Sequence, residues 1–192
     1  NETSKANSGI IHSGYDAKPG TAKARLNRQG NLMFDTVCEE LNVLFKRIGS
    51  LTIALSDEDV LTLQQLYERG QANGIPHLSL LDAAEVRQLE PHIHPQVRAG
   101  LLAKTAGILD PFMLTIALAE NAAENGVEIR LESKVTGICR TDSGYIVTTE
   151  KGQVPSRYVV NCGGVFAQDI NEFLAPARFQ IIPRKGEYIV FD

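Results

Sequence analysis

A glycine- and serine-rich stretch near the start of the chain holds the first residues that could do chemistry. Residues 4–14 include Ser4, Asn7, Ser8, Gly9 and a single histidine, His12. Because glycine has no side chain, the backbone N–H groups of such a loop can approach a phosphate or a planar ring closely. The pattern indicates either a loop of this kind or an ordinary solvated loop with an exposed histidine.

A second candidate site follows an apolar run near residue 160. Residues 157–161 are predicted to form a strand, and Asn161, Cys162, Gly163 and Gly164 then lead into a short helix. A strand, a glycine turn and a helix N-terminus together suit an anion or a dinucleotide, because unpaired N–H groups and the helix dipole favour a pyrophosphate. A plain tight turn is the alternative. Since Cys162 has no charged neighbour to activate its thiol, we predict a buried packing residue there.

Two cations and a tyrosine border the strand-like run near the end of the chain. Arg184 and Lys185 stand shortly before Tyr188. Guanidinium and ammonium groups beside a pocket hold a carboxylate or a phosphate. A solvated turn has the same composition, so both interpretations stay open.

Composition excludes several classes of protein. The 192 residues are 43% hydrophobic and 22% charged with a net charge of -4, which is typical of a globular protein and offers no basic surface for nucleic acid. No apolar run approaches the roughly 20 residues of a membrane-spanning helix, although peripheral membrane contact stays open. The 3 cysteines fit neither a disulfide framework nor a zinc site, which indicates a reducing, cytoplasmic location. His92 and His94 lack partners at metal spacing, so no metal site is predicted. The oligomeric state is not predicted.

The ends of the sequence indicate an excerpt from a longer protein. The chain begins at Asn1 without an initiator Met and without the pattern of a signal peptide. It stops directly after an alternating, strand-like run at residues 186–192. We therefore expect the middle portion of a larger molecule.

Hydrophobic periodicity predicts the elements that must position these residues. Helices are expected at residues 21–41, from Ser56 to Asn73, at 82–89, from Pro111 to about Asn125, and at 167–174. Strands are expected at 45–55 with a bulge at Gly49, and at 97–103, 127–131, 135–140, 145–149 and 157–161, before a final hairpin-like region. Helices and strands mix without strict βαβ alternation, which favours an α+β fold.

Taken in order, these segments resemble the D-amino-acid-oxidase-like superfamily of FAD oxidoreductases. Within it the sequence looks most like the FAD-dependent glycerol-3-phosphate dehydrogenases and L-2-hydroxyglutarate oxidases. The resemblance is carried by residues 7–14, 18–20, 26–30, 45–51, 107–111 and 158–164, and so extends over nearly the whole chain.

The resemblance implies a set of FAD contacts. They are Ser4, Asn7, Ser8 and Gly9 in the first loop, the backbone of Val135 at the adenine, and Asn161, Gly163 and Gly164 at the glycine turn. His12 would lie near the flavin ring as the catalytic residue, while Arg184 and Tyr188 would bind a small anionic substrate. The implied reaction moves a hydride from an alcohol carbon to flavin N5 while a base takes the hydroxyl proton.

The family begins with a strand and a G-x-G-x-x-G turn that this sequence lacks. The resemblance therefore implies an incomplete α/β FAD-binding half at residues 1–41 and 111–175, and a mixed-sheet portion of the substrate domain at 42–110 and 176–192. It also implies that this chain alone binds FAD weakly or not at all and is inactive.

Glycerol 3-phosphate is the expected substrate, because residues 4–51 look nearer to that branch, and L-2-hydroxyglutarate is the alternative. A rival from another class is a non-catalytic binding or assembly module in which the glycine-rich loops are only turns.

Overall fold

The computed structural model of the protein describes residues 3–4 and 7–189. Asn1 and residues 190–192, on which part of the excerpt prediction rests, lie outside the described residues. The chain divides into two compact units. The larger unit is Asn7–Asn121, and the smaller unit comprises Asn1–Ala6 and Ala122–Asp192. The predicted assignment of residues to an FAD-binding half and a substrate portion stays a prediction.

Two long helices of the larger unit begin where the sequence predicts them. Helix α1 (Ala22–Glu40) starts after Thr21, whose hydroxyl accepts the N–H of Ala24. Helix α2 (Asp57–Ala72) starts with a capping box in which Ser56 and Asp59 satisfy each other's backbone N–H groups. Such caps pair donors that the first helical turn leaves free, and they stabilise a helix by about 0.5–2 kcal/mol.

The remaining predicted helices are also confirmed. Helix α3 (Ala83–Leu89) is capped by the carboxylate of Asp82. Helix α4 (Pro111–Glu124) begins with proline, and the carboxylate of Asp110 accepts the N–H groups of Phe112 and Met113. No helix in the described part of the chain is both long and apolar enough to cross a membrane.

The predicted strand at 45–55 is wrong as a single element. It consists of β2 (Phe45–Lys46) and β3 (Ser50–Ala54), which belong to different sheets. Gly49 has φ of 78° and donates its N–H to the carbonyl of Ala106. A left-handed residue turns the chain out of a ladder, so Gly49 ends one sheet rather than forming a bulge within it.

The larger unit contains two antiparallel sheets. One has the order β1-β6-β2, where the sequence did not predict β1 (Ile10–Ile11) or β6 (Gly107–Leu109). The other has the order β3-β5-β4, with β4 (Leu78–Asp82) also unpredicted and β5 (Ala99–Ala103) confirmed. Strands as short as β1 and β6 carry too little alternation to stand out in a sequence.

The core of the larger unit lies between the second sheet and α2. Its buried members are Ala54, Leu63, Leu78, Leu101 and Ala103, and Tyr15 from the segment after His12 packs against them. The apolar face of α2 and one face of the sheet are thereby removed from water, which is the main favourable term in folding.

The smaller unit is built on an antiparallel meander. Its strands β7 (Val135–Thr141), β8 (Gly144–Thr149) and β9 (Gly152–Ser156) pair in that order. A 3₁₀ turn at Gly164–Phe166 then leads into helix α5 (Ala167–Glu172). Every ladder described in either unit is antiparallel, and the α+β class is confirmed.

Three predicted elements of the smaller unit are wrong. Residues 127–131, 157–161 and 176–189 contain no strand. Val127 is 54% exposed and Val160 is 83% exposed, so apolar side chains in both segments face solvent. A strand needs a hydrogen-bonded neighbour, and no described strand pairs with these segments, which therefore stay irregular despite their strand-like composition.

Candidate functional site

The loop before His12 is anchored by the first sheet of the larger unit. Ile10 pairs with Ile108 and Ile11 with Gly107 in an antiparallel ladder. The N–H of Leu109 adds a further bond of 2.9 Å to the carbonyl of Gly9. The ladder therefore holds the backbone up to the residue that precedes His12.

Gly9 is the tightest point of this loop. Its φ is 63°, and a Cβ atom at this position would lie 2.1 Å from the carbonyl oxygen of Leu109. The side-chain oxygen of Asn7 accepts the N–H of Gly9 at 2.8 Å, which closes a small turn. Only glycine combines this left-handed backbone with such a close approach to another main chain.

His12 lies on the exposed side of an alternating segment. Ile11 and Ser13 are 1% and 4% exposed, whereas the side chain of His12 is open to solvent. In an extended backbone successive side chains point to opposite faces, so burial of both neighbours directs His12 outward. The predicted catalytic residue is thus accessible to a ligand at the surface of the larger unit.

Asn31, which is 5% exposed, holds the main chain of His12 from the side of α1. Its Nδ2 donates to the carbonyl of His12 at 3.0 Å and to the carbonyl of Thr105 at 2.9 Å. One buried amide thereby satisfies two carbonyls far apart in the sequence and ties the His12 segment to the loop before β6.

Arg47 extends this contact into a cluster. Its guanidinium donates to the carbonyl of Thr105 at 2.6 Å and to the carbonyl of Asn31 at 2.7 Å. It also forms an ion pair of 2.5 Å with the carboxylate of Asp35. The fork geometry of arginine lets one side chain bridge α1 and the loop at Thr105.

Two groups at this ion pair have shifted pKa values, Asp35 and the neighbouring Cys38. The hydrogen bond from Arg47 holds the pKa of Asp35 below its usual range. Burial, followed by the charge of Asp35, raises the pKa of the Cys38 thiol. Cys38 is buried and therefore stays a neutral packing residue rather than a nucleophile.

We expect this pair to make stability depend on acid pH. Because the pKa of Asp35 is lower in the folded protein, its stabilisation is present above the unfolded-state value of about 3.9 and is lost as the pH falls further. An Asp35→Asn variant should lose about 0.2–1 kcal/mol near neutral pH, since the carboxylate is partly exposed. Thermal unfolding of the full-length wild-type protein and of its Asp35→Asn variant should be followed between pH 7 and pH 3. The two melting temperatures should converge as the pH falls. A difference in melting temperature that stays constant with pH would contradict a stabilising role for the ionised Asp35.

The segment after His12 is held by the end of α2. Nδ2 of Asn73 donates to the carbonyls of Gly14 and Ala17, at 3.2 Å and 2.7 Å. The hydroxyl groups of Tyr15 and Thr52 form a bond of 2.8 Å that joins the segment to β3. Residues 14–17, beyond His12, are therefore fixed by side chains from α2 and β3.

The glycine turn of the smaller unit is formed by Asn161. Its side-chain oxygen accepts the N–H of Gly163 at 3.1 Å, and its Nδ2 donates to the carbonyl of Ala167 at 2.8 Å. A Cβ atom on Gly163 would lie 2.5 Å from Ile170, while Gly164 has φ of 55° with open space beside it. The turn is present, but the predicted strand before it is absent and α5 has only 6 residues. A helix dipole therefore contributes little here.

A cavity of about 640 Å³ lies beside this turn. Its walls include Val135 at the start of β7, Gly163 in the turn, and the apolar side chains Phe166, Ile170 and Phe173, with the charged residues Lys134 and Asp169 beside them. Two residues that were predicted separately, Val135 and Gly163, thus line one cavity. Its apolar and aromatic walls suit a flat, weakly polar group.

Other predicted residues are not gathered at a site within their unit. Ser4 lies in an exposed turn of the smaller unit, and Arg184 and Tyr188 are exposed in its last described segment. Tyr188 packs beside Gly186, and Lys185 forms an ion pair of 2.8 Å with Glu187. Cys162 is exposed rather than buried, and the strand predicted to lead into it at residues 157–161 does not form. The predicted roles of Ser4, Arg184 and Tyr188 stay predictions.

Asn31 and Arg47 are the residues that sequence reasoning missed. The resemblance included residues 45–51 without assigning Arg47 a role. Asn31 is a polar residue on a helix, next to Gly30. A buried asparagine is unusual enough to need a hydrogen-bonding reason, but its burial is visible only in the fold.

Comparison with known proteins identifies the family of this chain and several of its relatives. The model of the family described as FAD dependent oxidoreductase, DAO, matches residues 1–192. The chain is 50% identical over its whole length to a glycerol 3-phosphate dehydrogenase of Caloramator mitchellensis, covering 40% of that protein. It is 30% identical, over 96% of its length, to the mitochondrial L-2-hydroxyglutarate dehydrogenase of Nematostella vectensis, covering 43% of that protein.

A solved structure shows the same fold. The dithionite-reduced L-alpha-glycerophosphate oxidase of Mycoplasma pneumoniae, with FAD bound, superposes with a TM-score of 0.83 at 29% identity, over 94% of this chain and 49% of that one. The chain thus spans less than half the length of each of these relatives. With a family model that matches from the first residue to the last, the chain belongs to the DAO family of FAD-dependent oxidoreductases.

Proposed function

We propose that the protein containing this chain oxidises the secondary alcohol of glycerol 3-phosphate to dihydroxyacetone phosphate, with FAD as its cofactor. One observation carries the choice of substrate: the identity of 50% to a glycerol 3-phosphate dehydrogenase extends over the whole chain. L-2-hydroxyglutarate is the second candidate, supported by a relative at 30% identity. Both compounds are anions with a secondary hydroxyl group.

Each unit has a feature that suits one part of an FAD molecule. The cavity lined by Val135 and Gly163 has the volume and the apolar walls that an adenine ring requires. In the larger unit, Asn7 and Ser8 are exposed and can face a phosphate or a ring, while the buried, left-handed Gly9 fixes the turn that presents them. When bound, FAD supplies the acceptor for the electrons that leave the alcohol carbon.

His12 is proposed to take the proton of the substrate hydroxyl group. Its side chain is exposed, while the backbone on either side is fixed by the β1–β6 ladder and by Asn31. Proton transfer needs a base that a substrate hydroxyl group can reach, and the exposed imidazole on a fixed main chain supports this role. Arg184 is proposed to bind the anionic group of the substrate, because its guanidinium is solvent-exposed and arginine binds phosphate through paired hydrogen bonds.

Family membership favours this proposal over a non-catalytic assembly module, since the whole chain matches a family of oxidoreductases. We further propose that the 192-residue chain alone binds FAD weakly and does not turn over. Supporting this, the apolar segments around Val127 and Val160 are exposed and belong to no ladder among the described residues, so the smaller unit leaves strand-forming residues without a sheet to join.

Steady-state kinetics of the full-length protein would test the choice of substrate. Glycerol 3-phosphate should give a kcat/KM at least about 100-fold above that of L-2-hydroxyglutarate, because a site that binds one anion leaves polar groups unpaired around the other. Glycerol, which lacks the anionic group, is the matched control and should be a poor substrate. A preference for L-2-hydroxyglutarate would overturn the choice of substrate while leaving the family unchanged.

A further inference from the structure

The carbonyl oxygen of His12 is held by a buried side chain from a different element. Asn31 comes from the middle of α1, and its Nδ2 bonds this carbonyl and that of Thr105 at 3.0 Å and 2.9 Å. The peptide that follows His12 cannot rotate without breaking the first of these bonds. Asn31 therefore limits the position of the main chain from which the exposed imidazole of His12 extends.

We propose that Asn31 is a positioning residue for the reaction, acting through the main chain of His12. This inference rests on the proposed role of His12 as the base. Displacement of a reacting group by about 1 Å can cost about 100-fold in rate, and a bond that fixes the backbone of that group limits such displacement.

Asn31 is itself held in place by Arg47. The guanidinium donates to the carbonyl of Asn31 at 2.7 Å and to the carbonyl of Thr105 at 2.6 Å. Asp35, one turn further along α1, orients the same guanidinium through an ion pair. Asn31 and its partner Thr105 are thus each fixed by a second bond, as expected for a site in which geometry must be kept within a fraction of an ångström.

Asn73 offers a matched control for the loss of such an amide. It makes the same kind of paired bonds to the same segment, but to the carbonyls of Gly14 and Ala17 beyond His12. Removal of either asparagine leaves two carbonyls without this donor and should lower stability to a similar extent. Only the removal of Asn31 releases the carbonyl of His12.

The test is a double-mutant cycle in the full-length flavoprotein, with glycerol 3-phosphate as substrate. Asn31→Ala should lower kcat about 10- to 100-fold with a smaller change in KM. Asn73→Ala should lower the melting temperature similarly but change kcat by less than about threefold. In a His12→Gln background, Asn31→Ala should cost no more than about twofold, since residues that act as one unit are not additive.

The outcomes separate this inference from the proposed function. An equal fold loss from Asn31→Ala in both backgrounds would overturn the positioning role while leaving His12 as the base. A His12→Gln variant with undiminished kcat would overturn both. If Asn31→Ala does not accumulate as folded protein, Asn31→Ser, which keeps one donor, takes its place in the same cycle.

Discussion

Substitution of His12 by glutamine is expected to lower the rate of flavin reduction by glycerol 3-phosphate about 10²- to 10⁴-fold, the usual contribution of a general base. Glutamine preserves much of the size and hydrogen-bonding capacity of the side chain but cannot accept the hydroxyl proton. Burial of Ile11 and Ser13 leaves the main-chain position of residue 12 unchanged, so the loss would report chemistry rather than folding.

Rapid mixing of the anaerobic variant with substrate would measure this rate at equal FAD content. His92→Gln is the matched control, because His92 is an exposed histidine in the loop after α3 and should leave the rate unchanged. A His12→Gln variant that reduces its flavin within about twofold of the wild-type rate would exclude proton transfer by this residue.

Substitution of Gly9 by alanine should have the largest effect on the loop itself. The new Cβ would lie 2.1 Å from the carbonyl oxygen of Leu109, which belongs to the backbone and cannot rotate away. Because the left-handed conformation alone costs alanine about 1–2 kcal/mol, the collision should bring the total loss to at least about 3 kcal/mol. The protein should melt at a lower temperature and be purified with less FAD.

Gly20→Ala isolates the contribution of the collision. Gly20 has φ of 78°, but nothing lies within 4 Å of the position that a Cβ atom would take there. Its substitution should therefore cost about 1–2 kcal/mol, which is the cost of the backbone conformation alone. Equal losses of stability and of bound FAD in the two variants would show that the Gly9–Leu109 approach is not required.

Local sequence patterns were sufficient for the helices but not for the sheets. Thr21 and Ser56 mark the starts of α1 and α2 because a cap acts within one turn of its helix. The split at Gly49 could not be predicted, since the sheets that β2 and β3 join depend on partners roughly 45 to 64 residues away. Residues 127–131 and 157–161 have strand composition, but no described strand pairs with them.

The sequence also pointed to some residues of the candidate site and missed others. Val135 and Gly163, which were assigned from the resemblance, line one cavity. Asn31 and Arg47 escaped notice because their function depends on bonds to the carbonyl of Thr105, 74 and 58 residues away. No periodicity encodes a contact between a side chain and a distant main chain, so such residues become visible only in the folded protein.

Anaerobic titration of the full-length flavoprotein tests the central claim most directly. Purified protein should show the visible absorption of bound FAD, and glycerol 3-phosphate should bleach it while L-2-hydroxyglutarate at the same concentration does not. Bleaching by L-2-hydroxyglutarate alone would contradict the proposal that glycerol 3-phosphate is the substrate. A protein that carries no flavin and cannot be reconstituted with FAD would contradict the proposal that it is an FAD-dependent enzyme.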